Sequence, residues 1–370
     1  MRVIHVAYEA ERYGIGTFLR NLISHQKNSF EDLYLAVAFH ADGPCMQQYR
    51  ALQIEVHSLG HNSAKDIRSF FHFYNIFRHY DIVHLHSCSP WAFLGAKLAG
   101  KRVIYTFHGT LGLNRGLFDI VTKAFHYFVL SRHCDFFTFA STSSFSRYIN
   151  SFKGIKLKAE KYEIIPYGIL IDDAKAKKSK STVRSLFGWN KKFLIGTAAR
   201  INPLKRLERL IEAFNGISLT NDYVLVILGS GDEIYGEYLK NLIHKYNLHN
   251  NVQFLGYRTD IYDILNVLDV FVLPSANEPF GLALVEAMTL GVPSIAFDDG
   301  GGTVDILGQS GVIVSSTEGL RDMIEKLQKD SDLRTNISKS VKERAKRFDI
   351  SFTAQEISRI YRNLIAEADH

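Results

Sequence analysis

"VFVLPSANEPFGLALVEAMTLGVPSIAF", residues 270–297, reads as strand, loop, helix and strand. VFVLP (270–274) and PSIAF (293–297) are short apolar runs bounded by turn residues, the mark of buried strands. GLALVEAMTLG between them has helical composition and is apolar all round its circumference, which predicts a buried helix. Strands without a polar face, alternating with helices, indicate a parallel sheet covered on both sides.

The same plan extends outward in both directions. FLIGTAA (193–199), YVLVILG (223–229), VQFLG (252–256) and GVIVS (311–315) read as further strands, with helices at about 204–214, 234–246, 260–267 and 281–290. The first half repeats the alternation with VIHVAY (3–8), YLAVAF (34–39), IEVHSL (54–59), IVHLHS (82–87), VIYTFH (103–108) and FFTFAS (136–141). Its helices are expected at about 16–26, 65–79, 90–99 and 115–132. A last helix, 351–366, carries an apolar stripe of Phe352, Ile357, Ile360, Tyr361, Leu364 and Ile365. At 370 residues the chain is too long for one ordinary core. The expected fold is two doubly wound, Rossmann-like α/β domains facing each other across a cleft, with the ligand outside the carboxyl ends of the strands. The hinge is placed near 166–172, and AKAKKSKS (174–181) is read as an exposed loop of the second domain.

Composition narrows the class. With 46% apolar and 22% charged residues, the chain reads as a soluble globular protein. No apolar run reaches the roughly 18–20 residues that span a bilayer, and the N-terminus lacks a signal-peptide pattern. Cys45, Cys88 and Cys134 stand far apart, which argues against a zinc site or disulfides and suits a reducing cytosol. Residues 1–168 hold 19 Lys and Arg against 12 Asp and Glu, a net +7, whereas the remainder is at −1. A basic half implies an anionic partner, either a phosphate-bearing substrate or a membrane surface, unless it is chance drift on a solvated face. The aromatic and basic stretches 68–80 and 117–133 are either sheet-packing core or an interfacial face for anionic lipids.

The opening stretch also raises a chemical question. Glu278 and Glu286 stand eight positions apart, and an ionised Glu286 in an apolar helix costs several kcal/mol unless hydrogen-bonded. Glu278 falls just before the helix N-terminus, where the free N–H groups of Gly281 and Leu282 form an anion site. Two acceptor carboxylates flanking an anion site suit a ligand with phosphates in the middle and hydroxyls at both ends, as in a nucleotide-sugar. The bland alternative is that Glu278 caps the helix and Glu286 reaches solvent.

These residues resemble a known family. EPFGLALVE is similar to the E-x7-E motif of retaining nucleotide-sugar glycosyltransferases of the GT-B fold, the family-4, glycogen-synthase-like group. GTAARINPLKRLERLIEAF, VILGSGDE, VQFLGYRTDIYDILNVLDVFVLPS and GVPSIAFDDGGGTVDIL resemble the rest of that family's second domain, although Val304-Asp305 stands where a Glu is frequent. In the first half ERYGIGTFLRNL, TFHG and IIPYGI match more weakly. The resemblance implies an N-terminal acceptor-side domain (1–168), a donor-binding domain (169–350) and a C-terminal helix (351–370) crossing back to the first. It gives Glu278 the hydroxyls of the transferred sugar, Glu286 the ribose, and Arg200 and Lys205 the diphosphate. Phe280, Gly281, Leu282, Tyr257, Arg258, Gly14 and Gly16 would line the donor, Tyr257 and Arg258 beside the base, and His108 would face the sugar. The implied activity moves a sugar, foremost from a UDP-sugar, to a lipid-linked or cell-envelope glycan. It does so without metal or cofactor, in the cytoplasm or at the inner face of the plasma membrane, with no nucleic-acid partner.

Other readings are weaker. YGIGTF lacks the third glycine of a dinucleotide fingerprint, since position 19 is Leu. His84 and His86 share a strand face, but no third metal ligand stands near in sequence, so a structural or acceptor role is preferred to a metal site. A nucleotide-sugar epimerase would release a free-sugar product. A non-catalytic nucleotide-binding module would not turn the donor over.

Overall fold

The computed structural model describes residues 1–11, 13–60, 66–87, 89–109, 121, 124–152, 155–217 and 223–367. The chain divides into two compact units, Met1–Gly168 with Ile350–His370, and Ile169–Asp349.

The first unit is built on β1 (Arg2–Glu9), β2 (Tyr34–Ala41), β3 (Glu55–Ser58), β4 (Ile82–His86), β5 (Arg102–Phe107), β6 (Phe136–Phe139) and β7 (Tyr162–Ile164). They form one sheet in the order β3-β2-β1-β4-β5-β6-β7, every pair parallel. The second unit contains β8 (Phe193–Ala198), β9 (Tyr223–Leu228), β10 (Val252–Gly256), β11 (Val270–Leu273), β12 (Ser294–Phe297) and β13 (Val312–Val314). Their order is β10-β9-β8-β11-β12-β13, again all parallel. Direction of winding reverses between β1 and β4 and between β8 and β11. A crevice at the carboxyl ends of those strands is where such sheets bind ligands.

Each sheet lies inside its own core. Phe73, Phe77, Phe93, Phe107, Phe137 and Tyr148 are fully buried around the first sheet, and Ile211, Phe214, Leu239, Val272 and Ile324 around the second. Removing one such phenylalanine side chain costs about 3–5 kcal/mol.

Several elements depart from the sequence reading. β7 went unforeseen because its three residues, Tyr-Glu-Ile, are only partly covered. The polar helices Thr317–Lys329 and Ser331–Ala345 were also missed, because only Leu320, Ile324 and Leu327 of the first and Val341 and Ala345 of the second are buried. Of the helix expected at 115–132, residues 115–120, 122 and 123 lie outside the described residues, as does Cys88. Its described end is a π-helical turn, His126–Leu130, running into Ser131–His133. AKAKKSKS is not wholly an exposed loop. Ala174 is buried, and the Ser179 side chain accepts a bond from the Thr182 N–H at 3.1 Å to start a helix at Lys180. In the helix Ile350–Ala366, Phe352 points to solvent at 56% exposure rather than joining the buried stripe. That helix packs on Gly14–Ser29, where the Gln26 amide donates to Ser358 Oγ at 3.0 Å.

Candidate active site

In the second unit the candidate site residues leave the carboxyl ends of β8 and β11, the two strands at the switch point. Arg200 follows β8 and is exposed, while Lys205 ends the short 3-10 turn Pro203–Lys205. Beside that loop lies the turn Gly229–Gly231. A Cβ on Gly229 would stand 1.9 Å from the Ala199 carbonyl oxygen, and one on Gly231 2.2 Å from that of Ile201, so only glycine permits the approach.

After β11 the chain turns through Asn277, which has φ +54°. Glu278 is then pinned by its backbone. Its N–H donates to the Gly300 carbonyl at 2.9 Å, and the Gly302 N–H donates to its own carbonyl at 2.7 Å. The run Gly300–Gly302 admits this pairing because a Cβ on Gly300 would meet Thr303 Oγ1 at 2.3 Å. With the backbone fixed, the Glu278 carboxylate accepts from Lys205 Nζ at 2.6 Å, the two side chains being 13% and 23% exposed. Two residues on, Gly281 takes φ +120° and caps the helix Leu282–Thr289, leaving its first N–H groups beside Glu278.

Glu286 is on the next turn of that helix. It keeps some accessible surface, yet protein encloses its carboxyl, and burial pushes it up to about 7 against the pull of a hydrogen bond from Tyr262. That bond is long, at 3.4 Å. The carboxyl therefore has capacity for better donors.

Two other carboxylates, Asp299 and Asp260, are committed. Asp299 takes both guanidinium nitrogens of Arg209 at 2.7 and 2.6 Å, which holds its carboxyl below the usual range. Arg258 is likewise engaged with Asp260 by two bonds of 2.8 Å, so any contact with a base falls to its backbone or to Tyr257, 46% exposed. Lys205, Glu278, Phe280, Gly281 and Leu282 are thus brought together, with Glu286 behind them on the helix. Tyr257 and Arg258 stand apart, after β10.

Gly14, Gly16 and His108 belong to the first unit. Gly14 opens the helix Gly14–Ser29, and a Cβ on Gly16 in its first turn would lie 2.1 Å from the Glu11 carbonyl oxygen. His108 follows β5, is 4% exposed, and has both ring nitrogens occupied. Nε2 meets His86 Nδ1 at 3.0 Å, and Nδ1 meets the Tyr167 hydroxyl. His86 Nε2 in turn meets His5 Nδ1 at 3.0 Å. His84 completes the cluster, bonded to Tyr361 at 2.7 Å and Thr106 at 2.6 Å. Burial keeps all four imidazoles neutral, pushing His5 and His108 down to about 3 and His84 and His86 well below their usual value. Sequence reading missed His5 because parallel pairing, which sets His5 opposite His84, joins residues far apart in the chain. Polar residues alternating with apolar ones in two strands were the available signal.

Comparisons with known proteins agree with this fold. A family model described as "Glycosyl transferases group 1" matches residues 180–344, and "Glycosyltransferase Family 4" matches residues 13–173. The chain belongs to the family-4 glycosyltransferases of the GT-B fold. This glycosyltransferase is 31% identical over 247 residues to the Escherichia coli UDP-Gal:alpha-D-GlcNAc-diphosphoundecaprenol alpha-1,3-galactosyltransferase, covering 62% of each chain. It is 28% identical over 298 residues to the phosphatidyl-myo-inositol mannosyltransferase of Mycobacterium leprae, covering 76% of this chain and 73% of that one. Among solved structures, Anabaena HepE in complex with UDP and glucose superposes with a TM-score of 0.85 at 21% identity, over 98% of this chain and 100% of the other.

Proposed function

We infer that this glycosyltransferase transfers a sugar from a nucleoside-diphosphate donor, foremost a UDP-sugar, to a hydroxyl of a lipid-linked or cell-envelope glycan, with retention of anomeric configuration. The carrying observation is the Lys205–Glu278 pair at the N-terminus of an apolar helix that also bears Glu286. Support comes from relatives whose names specify a UDP-sugar donor and a diphosphoundecaprenol acceptor or a phosphatidylinositol, and from a fold neighbour holding UDP.

In this reading the diphosphate sits over the Gly281 and Leu282 N–H groups between Arg200 and Lys205. These groups meet the charge that grows on the leaving phosphate, which is where stabilisation accelerates the reaction most. They supply the positive charge that a divalent cation supplies elsewhere. Glu278 accepts from sugar hydroxyls, Glu286 from the ribose. A double displacement needs a free carboxylate under the anomeric carbon. Glu278, Asp260 and Asp299 are each tied to a cation, which favours front-face attack, with the departing phosphate oxygen taking the acceptor proton. An α-linked donor is expected to give an α-linked product in the presence of EDTA, read from the coupling constant of the new anomeric proton. A β-linked product, or activity restored only by magnesium or manganese, contradicts the reading.

The acceptor side of the proposal includes reversible docking on an anionic membrane from the cytoplasm. Phe73, Phe77 and Tyr80 of the aromatic-basic stretch are core, but Ile67 and Phe71 are exposed with Arg68, and Leu98 and Phe128 are exposed elsewhere on the unit. No described helix is long and apolar enough to cross a membrane. Co-sedimentation is expected with anionic vesicles at low salt and to be lost at high salt, since charge attraction fades over about 8 Å at physiological ionic strength. Equal sedimentation with neutral vesicles would leave the basic half to the acceptor phosphate.

A further inference from the structure

The buried histidines of the first unit form a single file, His5–His86–His108–Tyr167, in which each ring passes one hydrogen bond to the next. A neutral imidazole has one N–H and one lone pair, so every bond in the file must point the same way. The far end decides which way. His5 Nε2 has no hydrogen-bond partner among the described residues, nor has Gln26 Oε1, and Gln26 acts on the His5 ring. Gln26 gives one amide N–H to Ser358 Oγ at 3.0 Å and its amide also bonds the Tyr361 hydroxyl, which leaves its carbonyl oxygen as the group offered to His5. A proton on His5 Nε2 turns these two orphans into a donor and an acceptor. A lone pair there would set two acceptors against each other in a dry site.

We propose that His5 and His86 are positioning residues that hold His108 as the Nε2–H tautomer, with its Nδ1 lone pair as the acceptor for the Tyr167 hydroxyl or for a hydroxyl that displaces it. With His5 protonated on Nε2, its Nδ1 accepts from His86 Nε2–H. His86 Nδ1 then accepts from His108 Nε2–H, and His108 Nδ1 accepts from Tyr167. The Tyr167 ring stacks on Phe18 at 4.1 Å, which places its hydroxyl at the head of the file. His108 can then take a hydrogen bond from a sugar hydroxyl and cannot give one. The assignment of a sugar hydroxyl as that donor rests on the proposed function, whereas the tautomer does not.

A metal centre is the competing use of this cluster, since one nitrogen each from His5, His84 and His86 lies within 4.8 Å of the others. Ring geometry opposes it. His84 and His86 stack at 4.3 Å and 28°, so their in-plane lone pairs run side by side instead of converging, and both His84 nitrogens are already bonded.

The test is long-range proton–nitrogen NMR on the full chain labelled at histidine nitrogen, with the His108 signals assigned from a His108→Gln sample. His5, His86 and His108 are expected as Nε2–H tautomers with slowly exchanging ring protons. His86→Phe is expected to give His108 mixed tautomers and to lower kcat about tenfold, the scale of one hydrogen bond, with KM for the donor unchanged. His86→Gln should restore most of the loss. An Nδ1–H tautomer at His108 in the unsubstituted protein overturns the proposal, and so does stoichiometric zinc uptake that abolishes the ring-proton signals. Tautomers as stated, scrambled in His86→Phe at unchanged kcat, would uphold the file and remove His108 from the sugar site instead.

Discussion

Between pH 6.5 and about 5 the first unit is expected to unfold while the second remains folded. His5, His84, His86 and His108 are buried and neutral, as is His126, pushed down to about 3 beneath Phe152. Their folded pKa values lie below the unfolded one, so the unfolded chain binds more protons as pH falls. Their stabilisation is complete above about pH 6.5 and is lost progressively below it. Each histidine forfeits about 1.4 kcal/mol per pH unit in that window. Even three of the five, over one and a half pH units, remove roughly 6 kcal/mol, comparable to a whole domain's usual 5–15 kcal/mol. The second unit behaves oppositely. Its described histidines, His244 and His249, are exposed, and Glu286, with a raised pKa, adds stability as pH falls below about 7. The two tryptophans separate the units, Trp91 reporting the first and Trp189, fully buried, the second. Fluorescence of Trp91→Phe and Trp189→Phe variants against pH gives each transition. Coincident unfolding of both units below pH 4, where paired carboxylates protonate, would show that the buried histidines carry none of it.

What the sequence made legible was whatever depends on neighbours in the chain. VFVLP and PSIAF announce β11 and β12 because a strand buried on both faces is apolar throughout, and Glu286 stands out because nothing local explains a carboxylate there. The Lys205–Glu278 contact was half legible. Both residues were assigned to the donor, but their direct pairing depends on β8 lying beside β11, an order that periodicity does not encode. The histidine file was least legible, since His5, His86, His108 and Tyr167 come from four separate places in the chain and meet only once β1, β4 and β5 are adjacent. Asp299 and Arg209 were invisible for the same reason. Thr317–Ala345 was obscured by composition, because a helix touching the core with few residues hardly differs from a polar loop.

Glu286 and Glu278 are expected to fail in different ways when removed. Glu286→Ala takes away the proposed acceptor for the ribose and should weaken UDP binding. The unsubstituted protein should show the same effect with pH. With the Glu286 carboxyl pushed up to about 7, the free site is largely protonated at pH 6 and must release that proton before it accepts hydroxyl donors as a carboxylate. Affinity should therefore rise with pH between 6 and 7 by several-fold, approaching tenfold per unit at the acid end, and level off above the carboxyl's own pKa. Glu286→Ala should reduce that slope and the accompanying proton release to the share of the UDP terminal phosphate, whose second ionisation lies at about pH 6. Glu278→Ala should leave UDP binding and its pH slope intact, because the free diphosphate has no sugar for Glu278 to hold and Lys205, released from its partner, remains to meet phosphate. Turnover should fall about 100-fold, roughly 2.7 kcal/mol of transition-state stabilisation. Calorimetry with UDP in two buffers of different ionisation heat, run from pH 6 to 8 on all three proteins, reads affinity and proton release together. Equal loss of UDP affinity in the two variants would sink the division of roles. A pH slope undiminished in Glu286→Ala would place the titrating group elsewhere.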